Sequence, residues 1–359
     1  MAGASTRARR GARTACAAAA ALAAGIVATL VLPGCGGSSA PANGLIAFAR
    51  APGGGGATSE LQLVDPDGAS RALTRGAVDR APAWSPDGEL LAFLRARGSG
   101  RPTAHVVDLD GDVRALPDTV ADEVAWSPDG RRLLLVDGGS LAVVEADGSG
   151  REVVAESASA IRDASWSPDG STILFAGGGG GLYADLYAVE PGRAGTMRLT
   201  RLLYEEGSAY APAWSPDSER IAFLLPGGVF VMNADGSERR RLVRIRGADR
   251  ASSLAWSPDG GTIAYTLLRV TGPGSRATGP GSGGVFLVFP DDGDPRQLTS
   301  EVDVSAVWSP DGRRLAVQRF TGFQRSRIVE VEVETGDERP LTDGAHSDTS
   351  PAWQALPGG

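Results

Sequence analysis

Short apolar runs broken by turn residues occupy most of this chain. Leu90-Leu91-Ala92-Phe93-Leu94, His105-Val106-Val107-Asp108-Leu109, Asp112-Val113-Arg114-Ala115-Leu116 and Glu123-Val124-Ala125-Trp126 follow one another in a single stretch. Each has the length of a β-strand, and Gly, Asp and Pro punctuate the series. Asp110-Gly111, between the second and third runs, is a hairpin signal. Few long apolar periods interrupt this pattern, and the 50 Gly and 23 Pro supply many tight turns, so the chain reads as all-β.

The four-strand unit recurs. Trp-Ser-Pro-Asp stands at 84–87, 126–129, 166–169, 214–217, 256–259 and 308–311, and a degenerate copy, Ser-Pro-Ala-Trp353, closes the series. All seven tryptophans (Trp84, Trp126, Trp166, Trp214, Trp256, Trp308 and Trp353) occupy this one position, 42, 40, 48, 42, 52 and 45 residues apart. Strands of the Ile-Ala-Phe type also number seven, at 45–49, 90–94, 132–136, 172–176, 220–224, 262–266 and 314–318. Four-stranded repeats of about 45 residues predict a β-propeller. Both counts give seven blades, with six as the alternative. Because the series opens on an Ile-Ala-Phe strand and ends on a Trp strand, one blade must combine both ends of the chain, which closes the ring and removes free sheet edges.

The turn residues have mechanical roles. In Ser-Pro-Asp-Gly, Pro presets φ and Gly supplies the left-handed residue that re-enters the next strand. Ser218 replaces that Gly in the fourth copy, at a cost of up to about 1 kcal/mol. Asp108, Asp110 and Asp112 have the look of metal ligands, but the full calcium-loop pattern is missing and a hairpin turn accounts for them. Ser85 and its equivalents are turn residues rather than nucleophiles. The sequence predicts no catalytic residues, no metal site and no cofactor.

The first 34 residues read as an export signal: Arg7, Arg9, Arg10 and Arg13 with no acid, an apolar run from Ala17 to Leu32, then Pro33-Gly34. That run is short for a spanning helix, which needs about 20 residues. Leu32-Pro33-Gly34-Cys35 resembles the lipobox of bacterial lipoproteins, which implies a diacylglyceryl group on Cys35 and a lipid anchor on the outer face of a bacterial membrane. Pro33 departs from the usual residue at its position. Residues 35–43, rich in Gly, Ser and Ala, read as a flexible linker, and 44–359 as the propeller. Cys16 and Cys35 both precede the propeller, which is therefore free of disulfides. The net charge is −8, and −12 once the four leader arginines are set aside, so nucleic acid is a poor partner.

Pro-Ala-Trp-Ser-Pro-Asp-Gly, followed by an Ile-Ala-Phe strand and a Val-Asp-x-Asp-Gly strand, resembles the TolB-type propeller repeat, most clearly over Pro82 to Phe93 and Pro212 to Phe223. The resemblance covers nearly all of 44–356. It implies a propeller that binds envelope proteins at the mouth of its channel. It does not extend to TolB itself, whose propeller follows an α/β domain and has six blades.

Antiparallel order places the Ser-Pro-Asp-Gly and Asp-Gly turns on one face, and the longer loops and blade-to-blade connections on the other. Insertions at Pro52 to Thr58, Gly177 to Gly181 and Gly272 to Gly284 fall on the loop face, where function usually resides. The connections just before each Trp strand carry Asp79, Arg80, Asp122, Glu123, Arg162, Asp163, Tyr210, Arg250, Asp303 and Asp348. They are expected to form a mixed, net acidic rim around the channel. These features favour a monomeric, non-catalytic module that binds an envelope protein or peptide. A polysaccharide lyase or hydrolase is the alternative, its candidate acid/base group being His346 beside Asp343 and Asp348; the only other histidine is His105. A sensor for sugars or small ligands is a third reading, disfavoured by only five Tyr.

Overall fold

The structure, a computed structural model, describes residues 43–53, 58–178, 183–203, 205–247, 249–269 and 283–355. The leader, Cys35, most of the linker and the loop tips 54–57, 179–182 and 270–282 lie outside the described residues.

Twenty-eight strands and no helix occur among the described residues. The chain opens with β1 (Ile46–Ala51), β2 (Glu60–Val64) and β3 (Ser70–Ala72). The next sheet is β4 (Val78–Trp84), β5 (Leu90–Ala96), β6 (Thr103–Asp108) and β7 (Val113–Val120). It is followed by β8 (Glu123–Trp126), β9 (Arg132–Asp137), β10 (Ser140–Glu145) and β11 (Glu152–Glu156). The next is β12 (Arg162–Trp166), β13 (Ile173–Gly177), β14 (Asp185–Val189) and β15 (Met197–Arg198). Then come β16 (Tyr210–Trp214), β17 (Arg220–Leu225), β18 (Gly228–Asn233) and β19 (Arg240–Arg244). β20 (Arg250–Trp256), β21 (Ile263–Leu268), β22 (Gly283–Val288) and β23 (Arg296–Gln297) form one more. The last strands are β24 (Asp303–Trp308), β25 (Arg314–Gly322), β26 (Arg325–Glu332), β27 (Glu338–Pro340) and β28 (Ser347–Trp353).

Five of these sheets are four-stranded antiparallel meanders that begin on a Trp strand. The sixth has eight strands: β24–β27 form one meander and β28-β1-β2-β3 another, joined where β26 meets β28. The C-terminal strand therefore pairs antiparallel with the N-terminal one, Trp353 opposite Ile46 and Asp348 opposite Arg50. Each Trp strand also touches the next, β4 with β8, then β12, β16, β20, β24 and β28, and β28 touches β4.

The core lies between sheets. Buried apolar side chains gather into clusters, each holding one Trp; Trp256 packs with Leu224, Val229, Tyr265 and Phe286, and Trp353 with Phe48, Ile328 and Leu341. Five of the tryptophans are 7–8% exposed, while Trp84 and Trp214 are half-buried. Four indoles also bond the preceding sheet: Nε1 of Trp126, Trp256, Trp308 and Trp84 donates to the carbonyls of Ala83, Ala213, Ala255 and Ala352, at 3.1–3.2 Å. The tryptophan repeat is thus a repeated wedge between sheets, and losing one such side chain costs about 3–5 kcal/mol.

The Ser-Pro-Asp-Gly turns explain their own sequence. Each Ser hydroxyl donates to the Asp two residues on, and accepts the N–H of the residue five on, at or just before the start of the next strand. The Gly takes φ of 69–73°. Ser218 takes φ 63° in its place, and its hydroxyl accepts the N–H of Asp169 in the preceding sheet, 3.1 Å away. In the Asp-Gly turn at 110–111, Asp108 Oδ1 accepts the N–H groups of Asp110, Gly111 and Asp112. These aspartates hold a hairpin, and among the described residues no three His, Cys, Asp or Glu converge as a metal site requires.

The serine bond holds the carboxyls of Asp87, Asp129, Asp169, Asp217 and Asp259 below the ordinary aspartate range. Depressed in the fold relative to the unfolded chain, they contribute stability that is complete above pH about 4 and disappears as pH falls through their folded values. The melting temperature, followed by circular dichroism, should hold steady down to pH about 5 and drop below pH about 4. No change down to pH about 3 would show that the turns carry no such linkage.

Candidate functional site

The Trp strands start on the loop face. A β-bulge interrupts most of them, and in five strands the residue three before the Trp has positive φ: Ala81 (51°), Asp163 (53°), Ala211 (46°), Ser305 (53°) and Ser350 (53°). None is a glycine, so each strand stores local strain on the order of 1–2 kcal/mol. The bulges turn neighbouring side chains out of the pleat.

Three of the predicted rim residues do not face the rim. Asp79, Asp303 and Asp348 are fully buried, each five residues before its Trp. Asp79 takes both Nε and Nη2 of Arg95 at 2.7 Å, Asp303 takes Arg319 at 2.6 and 2.9 Å, and Asp348 takes Arg50 at 2.7 and 2.9 Å. Thr74 and Thr299 also donate to Asp79 and Asp303. These three four-stranded meanders adjoin one another. In the other four, Ala121, Ile161, Ala209 and Ala251 fill the same place and are also buried. A carboxylate inside a sheet persists only with such partners.

The Leu-Thr pairs behind this arrangement escaped the sequence reading. Thr74, Thr200, Thr299 and Thr342 each accept a backbone N–H from their sheet's third strand. Thr200 also donates to Asp185, which pairs with Arg198. The dipeptide recurs at 73–74, 199–200, 298–299 and 341–342, and that recurrence was the available signal.

The remaining rim residues gather on successive Trp strands. Arg80, Arg162 and Arg250 are exposed. Asp122 is exposed, accepts the Gly138 N–H and lies 3.3 Å from Arg101. Glu123 is half-buried and accepts the N–H groups of Asp163 and Ala164, while Asp163 accepts the Ala211 N–H at 2.9 Å. Three consecutive sheets are thereby linked. Burial pushes the Glu123 carboxyl up, against the pull of those two N–H groups. Tyr210 donates to the Ala251 carbonyl at 3.2 Å; burial raises its pKa and Arg250 partly lowers it. Arg162, Asp163, Tyr183, Ser208 and Tyr210 line one cavity of about 240 Å³. With three carboxylates withdrawn, the rim has three cations (Arg80, Arg162, Arg250) and three acids (Asp122, Glu123, Asp163), so it is mixed rather than net acidic.

His346 borders a second cavity of about 220 Å³ with Arg50 and Glu60, and its Nδ1 lies 3.8 Å from Asp343. Asp348, its other supposed companion, is turned inward to Arg50. His105 is buried against Phe93, and burial lowers its pKa.

Repeated four-stranded meanders, wedged by tryptophan and lined up through their first strands, define a β-propeller. Residues 195–355 match the TolB beta propeller domain family. The Tol-Pal system protein TolB of Alcanivorax borkumensis is 31% identical over 91 residues, 24% of this chain and 20% of its own length. This chain therefore spans a fifth of that relative. The structure of TolB from Acinetobacter baumannii superposes with a TM-score of 0.55 at 18% identity, over 87% of this chain and 66% of the other. An oligogalacturonate lyase in complex with manganese gives 0.61 at 16% identity, over 83% and 85%. At such identities these two structures establish the fold alone. Residues 195–355 are thus a TolB-type β-propeller segment, and the same repeat runs through the rest of the described strands; the likeness is to the repeat rather than to TolB itself.

Proposed function

We propose that this protein is a non-catalytic binding module that captures a segment of an envelope protein at the loop-face rim. One observation carries the reading: Arg162, Asp163 and Tyr210, drawn from two sheets, converge on a single cavity beside strained, non-glycine bulges. Strain persists where surrounding structure over-determines it, and such sites are often functional. An aromatic side chain and an arginine within a polar rim also match the composition of binding hot spots. The TolB likeness supports a role in the envelope. The balanced charge of the rim suits a partner segment of mixed charge. The contacts of β28 with β1 and β4 support seven blades in a closed ring. Export by the leader and a lipid on Cys35 complete the proposal.

The test is crosslinking of the full-length protein in its native membrane, beside an Arg162→Glu/Tyr210→Ala variant and a Cys35→Ser variant. Recovery of one specific envelope protein should fall at least about tenfold in the rim variant, a loss of about 1.4 kcal/mol. The Cys35→Ser protein should leave the membrane fraction. Equal recovery from wild type and rim variant would remove the rim from the mechanism. Retention of Cys35→Ser in the membrane would remove the lipid.

A further inference from the structure

The opposite face, where the tight turns lie, has its own cavity. It measures about 300 Å³ and lies between the β12–β15 and β16–β19 sheets. Trp214, Met197 and Val189 give it apolar walls, and Asp169, Glu190 and Arg193 are its charged members.

Its cause lies in two departures from the repeat. The first is at the start of the second strand. Arg132 and Arg220 hold this position in their sheets, each with its N–H on the turn serine, and each lays its guanidinium over the indole of the next sheet. Arg132 stands 4.8 Å from the ring centre of Trp166, and Arg220 stands 5.0 Å from that of Trp256. In the sheet before Trp214 the same position, with the same bond to the turn serine, is Thr172. A threonine cannot reach across, and Trp214 is half-buried where Trp166 and Trp256 are 7% exposed. Thr262 makes the same exchange before Trp308, but that indole is 8% exposed and donates to Ala255. The second departure is the connection 190–196, which lacks the Asp-Gly turn of 65–69, 109–112, 146–151 and 234–239; at seven residues it equals 289–295 and exceeds those four, so length variation is not confined to the loop face. It carries Glu190 and Arg193 to the cavity and leaves Met197 52% exposed.

We infer that this cavity binds the guanidinium or ammonium group of an external cation, most readily an arginine side chain, over the Trp214 indole. The protein itself shows the fit twice, at Trp166 and Trp256. A cation over an indole is attracted by the ring's negative face, and arginine is the commoner partner. The cavity's charges also favour a cation. Glu190 holds Arg193, which leaves the Asp169 carboxylate as the net charge; its Oδ1 is occupied by Ser167 and Ser171, while Oδ2 takes no hydrogen bond among the described residues. Met197 offers a polarizable flank to the alkyl stem. The site lies on the face opposite the rim and does not depend on the function proposed there.

The test is calorimetric titration of the full chain with Nα-acetyl-arginine amide, with its uncharged citrulline counterpart and with a tripeptide centred on arginine. Acetyl-arginine amide should bind with a dissociation constant on the order of 1 mM, and the citrulline compound should not bind. Thr172→Arg supplies the missing guanidinium from the chain itself and should weaken binding at least about tenfold. Glu190→Lys, on the exposed turn, should do the same without touching the core. Tighter binding of the tripeptide identifies a partner's side chain as the occupant, and equal binding identifies the free cation. Equal binding of arginine and citrulline, undiminished binding in both variants, or no binding at all would overturn the inference.

Discussion

Replacing Asp303 by Ala should cost about 3 kcal/mol and lower the melting temperature by roughly 6–12 °C. Asp303 is fully buried and Arg319 is 3% exposed. Burial by itself lowers the Arg319 pKa, but the bonds to Glu338 and Asp303 outweigh it and raise it. Losing the aspartate leaves a buried guanidinium with Glu338 as its remaining carboxylate, and breaking one side of a buried pair typically costs 3–5 kcal/mol. The surviving bond to Glu338 sets the expectation at the low end. The double variant Asp303→Ala/Arg319→Met should recover most of the loss, because four other sheets already hold an apolar residue at the aspartate position. A single variant that melts within a degree of wild type would show that the pair contributes nothing.

Deleting residues 345–359 should abolish cooperative folding. The deletion removes β28 and with it the partner of β1, the contact of β26 and the indole of Trp353. Trp353 alone is worth about 3–5 kcal/mol, a large part of a typical total of about 5–15 kcal/mol. It also uncovers the edge of β1, a template for aggregation. Size-exclusion chromatography and thermal melts of the truncated chain should show aggregate and no transition. A monomer with a wild-type melting curve would mean that the remaining sheets stand without the terminal pairing.

The four-stranded meander was legible because it is written many times over. One tryptophan position, one turn and one hairpin signal recur until accident is excluded, and β5 to β8 fall within a few residues of their expected places. The rim was legible only in part. A carboxylate just before a strand reads as loop charge, and that reading puts Asp79, Asp303 and Asp348 on the rim. Their partners lie where local reading does not look. Arg95 and Arg319 sit 16 residues on, at the register position opposite, and Arg50 is 298 residues away at the other end of the chain. The cavity at Trp214 was invisible for a different reason. It arises from the absence of an arginine, and a threonine at the start of a strand draws no notice until its equivalents are seen capping the neighbouring indoles.

The two ends of the described chain grip each other. The N–H of Leu45 donates to the Gln354 side chain, the N–H of Gln354 donates to the Leu45 carbonyl, and the Gln354 amide reaches Gly88 in a Ser-Pro-Asp-Gly turn. Beginning and end therefore leave from one point on the turn face. The point where the chain enters and leaves the described fold therefore lies on the face opposite the cavity of Arg162 and Tyr210, and that cavity can be reached without crossing either end.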